Sequence, residues 1–114
     1  MTVGDGGTIL TSPDGTTWTS RTSGTSLALN GVTYGNSIFV ASGASGTILT
    51  SSDGTSWTSR TSGTSESLRA ITYANSAFMA VGESGAILTS SDGITWSART
   101  SGTSNTLYGV SYKE

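Results

Sequence analysis

The chain has 114 residues and a net charge of −2, and its 22 Ser, 21 Thr and 16 Gly make up just over half of it. It contains no Cys and no His, which excludes thiol nucleophiles, histidine bases, Ser-His-Asp triads, disulfides and the usual zinc sites. Mild acidity without a basic run argues against nucleic-acid binding, and no apolar stretch reaches the roughly 18 residues that span a membrane.

Composition alone suggests a disordered Ser/Thr/Gly tract. Periodicity says otherwise. Trp18, Trp57 and Trp96 recur at a step of 39, as do Asp14, Asp53 and Asp92, and Arg21, Arg60 and Arg99. Tyr34, Tyr73 and Tyr112 keep the same step, and so do Phe39 and Phe78. Three such units nearly fill the chain, which marks a repeat architecture. At the start, Thr2 aligns with Ala80, so the chain opens inside the second strand of a unit and continues with the third and fourth. The complete unit shows four short runs: Leu68 to Ala74, Ala77 to Gly82, Ala86 to Ser90 and Thr95 to Thr100. Each is bounded by Gly, Asn, Asp or Ser, and each is too short for a helix. The reading is therefore all-β. Leu107 to Tyr112 repeat a first strand. The start, Met1 to Asp5, lacks the charged and apolar regions of a signal peptide, so the sequence names no compartment.

The most diagnostic segment is Ser12-Pro13-Asp14-Gly15-Thr16-Thr17-Trp18. It returns with Ser51, Asp53, Gly54 and Trp57, and again with Ser90, Asp92, Gly93 and Trp96. An Asp at a hairpin can accept backbone N–H groups two residues on. The Gly supplies a conformation closed to other residues, and the Trp is a large ring to bury. The segment resembles the Asp box of sialidase-type and photosystem-assembly-factor-type β-propellers, which lies between the third and fourth strands of a blade. The spacing departs from that pattern: Asp and Trp are four apart here, one fewer than in the usual box. The motif is expected to be structural, because one carboxylate per turn is a poor cation cage. No cofactor or metal is expected.

The resemblance implies one repeat domain over 1–114, with blade parts 1–28, 29–67 and 68–106 and a closing first strand at 107–114. Three blades do not close a ring, since propellers use four to eight. The expected assembly is a homodimer of six blades in which each chain's last strand completes the other's first blade. A homotrimer of nine blades is the second expectation. A monomeric β-trefoil is the rival fold, although its usual Gln-x-Trp signature is absent. The near identity of the repeats points to recent duplication or to design.

Positions where the repeats disagree are the candidate ligand site. Asn30, Arg69 and Tyr108 share one slot, Leu27, Glu66 and Asn105 a second, and Asp5, Ala44 and Glu83 a third. Of these, Asn30, Glu66, Arg69, Glu83, Tyr108 and Asp5 are the candidate lining of a pocket for a sugar or other small polar ligand. In resembling propellers these slots lie on the channel face. Arg21, Arg60 and Arg99 fall on the outermost strands, cannot converge, and are expected to pack over Trp or pair with a turn Asp. No carboxylate pair has the spacing of a glycosidase, and no enzyme is expected. The expected role is a non-catalytic structural or protein-interaction scaffold, with a lectin-like module as the alternative.

Overall fold

The computed structural model describes residues 1–113, and they form three antiparallel sheets in chain order. The first holds β1 (Thr2–Gly4), β2 (Thr8–Thr11) and β3 (Thr19–Arg21). The second holds β4 (Leu29–Gly35), β5 (Ile38–Gly43), β6 (Ile48–Ser51) and β7 (Thr58–Arg60). The third holds β8 (Leu68–Ala74), β9 (Ala77–Gly82), β10 (Ile87–Ser90) and β11 (Ser97–Arg99). In each sheet the strands lie in sequence order, joined as a meander. Every repeat thus builds its own sheet, which replaces the trefoil alternative.

The turns explain these limits. Asn36-Ser37 and Asn75-Ser76 join the first two strands of their sheets with positive φ at both residues, from 49° to 65°. That is the backbone twist a two-residue hairpin requires. Short 3-10 turns at Asp5–Gly7, Ala44–Gly46 and Glu83–Gly85 join the second and third strands. The fourth strands are shorter than expected, because the Asp-box loop keeps Ile94 to Trp96 out of β11.

Burial follows the two-residue period of a strand. In β5, Val40 faces the third sheet and Ala41 the first; in β6, Ile48 and Leu49 divide the same way. One core cluster joins Ile9 to Leu29, Ala41 and Leu49, with Met1, Val3, Val32 and Trp57 around it. The other joins Val40 and Ile48 to Leu68, Phe78, Ala80 and Leu88. The middle sheet is therefore covered on both faces, and the outer two on one face each. Tyr34, Phe39 and Trp57 form an aromatic run with centroids 4.7 and 6.4 Å apart. Tyr73, Phe78 and Trp96 repeat it at 4.5 and 6.3 Å.

Residues 107–112, expected as a first strand, belong to no sheet in this chain. The Leu107 N–H donates to the Gly82 carbonyl at 2.8 Å, which docks the segment against the third sheet. Glu114 lies outside the described residues.

Candidate functional site

The three boxes are near-identical hydrogen-bond cages. In the first, the Ser12 hydroxyl accepts from the Gly15 N–H at 2.7 Å and donates to Asp14 Oδ1 at 3.1 Å. The same Oδ1 accepts from the Thr16 and Thr17 N–H groups at 2.8 and 3.0 Å. Asp53 takes the N–H groups of Thr55 and Ser56, and Asp92 those of Ile94 and Thr95. These bonds favour the ionised form, so all three carboxyls are held below the ordinary 3.8. The N–H three residues on contributes most, and the N–H two residues on comes next. Gly15, Gly54 and Gly93 have φ of 77–78°, the left-handed region that favours glycine. The indole N–H groups of Trp57 and Trp96 donate to the Gly54 and Gly93 carbonyls at 3.2 and 2.9 Å.

Trp18 departs from the expectation that each Trp buries its ring. It is 44% exposed, while Trp57 and Trp96 are half-buried beside Phe39 and Phe78. The repeated arginines also differ from expectation. Arg21, Arg60 and Arg99 each donate from Nε to a threonine on the neighbouring strand, Thr11, Thr50 and Thr89, at 2.9 Å. Arg21 opposes Ile9 in register, which places Thr11 two residues along on the same face.

The variable slots have a structural origin. The pairing of β4 with β5 shifts between Leu29 and Gly31, and that of β8 with β9 between Leu68 and Ala70. Asn30 and Arg69 are the residues released from the ladder by these β-bulges, and a bulge re-aims its side chain. Asn30 Nδ2 donates to the Leu68 carbonyl at 2.8 Å. Arg69 pairs with Glu83, and its guanidinium carbon stands 6.0 Å from the Tyr108 ring centroid. The Ser84 hydroxyl donates to Glu66 at 3.1 Å. Four of the six candidate residues, Glu66, Arg69, Glu83 and Tyr108, thus gather on one face around the third sheet. Asn30 lies beside them through Leu68. Asp5, in the turn of the first sheet, joins none of these contacts.

This cluster offers hydrogen-bond donors, carboxylate acceptors and one open aromatic ring. It presents no activated nucleophile. Among the described residues, no three acidic side chains come together to hold a metal. A groove of about 630 Å³ begins at Glu66 and Ser84 and runs past Ile87 and Arg99 on the outward face of the third sheet. This groove arises from the uncovered face of a sheet and not from a motif.

Successive four-stranded meanders packed face to face, each carrying an Asp box between its third and fourth strands, are the blades of a β-propeller. Residues 28–114 match the family model described as the DUF6242 beta propeller domain. The chain belongs to that family. It is also similar to a solved structure described as "YCF48 bound to D1 peptide", with 27% identity and a TM-score of 0.71. The match covers 84% of this chain and 34% of that one, so this chain spans about a third of its length. No curated protein matches the chain.

Proposed function

We propose that the chain is a non-catalytic propeller scaffold that closes into a ring with a second copy of itself and serves a structural or protein-interaction role. One observation carries this reading. The first sheet has three strands where the others have four, while residues 107–112 have a first strand's sequence and no sheet. Leu107, Val110 and Tyr112 stand where β4 has Leu29, Val32 and Tyr34, and β8 has Leu68, Ile71 and Tyr73. Two copies give six blades, within the usual range for propellers. Closure also removes the open sheet edge and both uncovered blade faces together. The peptide in the description of the similar YCF48 chain supports a role in holding another polypeptide.

The test is absolute mass by light scattering across a dilution series. The reading expects twice 11.5 kDa, unchanged on dilution. Three times that mass would move the reading to nine blades, and a stable monomer would overturn it. The sugar-binding alternative predicts glycan-array binding that is lost in both Arg69→Ala and Tyr108→Ala.

A further inference from the structure

We infer that the two copies exchange strands in one defined register, with residues 107–111 of each chain pairing antiparallel to the β1 edge of the other. This rests on the ring reading above and names the surface and the occupant.

The register comes from the two complete blades. In the second sheet Leu29 pairs with Gly43, Gly31 with Ser42, Val32 with Ala41 and Thr33 with Val40. In the third, Leu68 pairs with Gly82, Ala70 with Val81, Ile71 with Ala80 and Thr72 with Met79. Carried over by the repeat step, Leu107 pairs with Gly4 of the other copy, Gly109 with its Val3, Val110 with its Thr2 and Ser111 with its Met1. Tyr108 takes the bulge position of Asn30 and Arg69. The Leu107 N–H already holds the start of this strand on the Gly82 carbonyl, which directs the segment along the open side of the third sheet.

The flanking faces fit the same occupant. At each inner junction the later blade brings its Asp-box glycine and an inward Leu, and the earlier blade brings an Ile. Gly54 is buried beneath Met1, and Gly93 beneath Ile38 and Val40. Gly15 has no atom within 4 Å of a built Cβ. Leu49 and Leu88 are buried, while Leu10 is partly exposed. On the opposite face, Ile9 and Ile48 are fully buried, while Ile87 is partly exposed. Ser23 and Ser62 are buried, while Ser101 is partly exposed. The first sheet therefore displays the later half of a junction, and the third sheet the earlier half. A second copy supplies the missing half to each. The surface fits a strand and a blade face of this same sequence.

Directly opposed antiparallel residues have Cα atoms about 4.5–5.5 Å apart, within disulfide reach. The experiment uses chains carrying Thr2→Cys alone and Val110→Cys alone, mixed unfolded, refolded together and oxidised. The expected result is a disulfide-linked heterodimer in the mixture, with none from either variant refolded alone. Thr2→Cys mixed with Ser111→Cys should not link, because a one-residue slip turns the side chain to the other face. The pair Val3→Cys and Gly109→Cys gives a second reading should either first variant fail to fold. A dimeric mass with linkage only at Ser111→Cys, or at neither pair, would overturn the register and leave the ring standing. A monomeric mass would overturn both. A Thr2→Cys/Val110→Cys double variant that links only within single chains would also overturn the exchange.

Discussion

A Cβ built on Gly93 stands 2.7 Å from the Cδ1 of Ile38, so the third Asp box rests directly on the second blade. The equivalent Cβ on Gly54 meets Met1 Cε at 3.1 Å, and that on Gly15 meets nothing within 4 Å. All three share the same left-handed backbone. Alanine at any of them carries a conformational cost of about 1–2 kcal/mol. Gly93→Ala adds overpacking against the second blade, worth about 1–3 kcal/mol more. Urea unfolding should rank Gly93→Ala as the most damaging. Gly15→Ala should show its own packing cost only in the assembled ring, as easier dissociation on dilution.

Ser42 is a second imperfection with a direct remedy. Its hydroxyl is fully buried and has no hydrogen-bond partner among the described residues. The repeat places Val3 and Val81 in the same slot of the other sheets. A buried unpaired hydroxyl costs about 1–3 kcal/mol, and the added methyl recovers apolar burial. Ser42→Val should raise the urea midpoint by an amount equivalent to about 1–2 kcal/mol, with the slope unchanged.

The Asp boxes contribute to acid sensitivity. Their carboxyls titrate below 3.8 in the folded chain, so the unfolded chain binds protons first as pH falls. Their contribution to stability is complete above pH 3.8 and is lost as pH drops through the lower folded values. Tryptophan fluorescence during acid titration should show a transition below pH 3.8. Asp53→Asn should flatten the acid dependence while lowering stability at neutral pH. An unchanged acid profile in that variant would remove the boxes from this role.

Much of the blade was legible because local chemistry and packing agree there. The limits Leu68 to Ala74 and Ala77 to Gly82 follow from apolar runs broken at Asn75-Ser76. The disagreement among Asn30, Arg69 and Tyr108 marked a special position, but not that the first two are bulge residues. A bulge is a property of the pairing, and one strand's sequence does not show it. For the arginines the sequence points to Trp or Asp, because charge and ring partners are the obvious ones. Their threonine partners depend on cross-strand register, which fixes Arg21 opposite Ile9. Trp18 repeats its counterparts in sequence, yet it is exposed where Trp57 and Trp96 are half-buried beside Phe39 and Phe78. Arg69 pairs with Glu83, and Glu66 accepts from the Ser84 hydroxyl. The Arg69–Glu83 pair is 38% and 36% exposed, so it adds less than about 1 kcal/mol and does not define the fold.

The most direct test is amide hydrogen exchange at residues 107–111 in the unmodified protein. In the exchanged-strand ring these amides belong to a four-stranded sheet, and their protection should approach that of the matching stretches in β4 and β8. Full exchange at 109–111 at the rate of an unstructured chain, with β8 still protected, would contradict closure by the last strand.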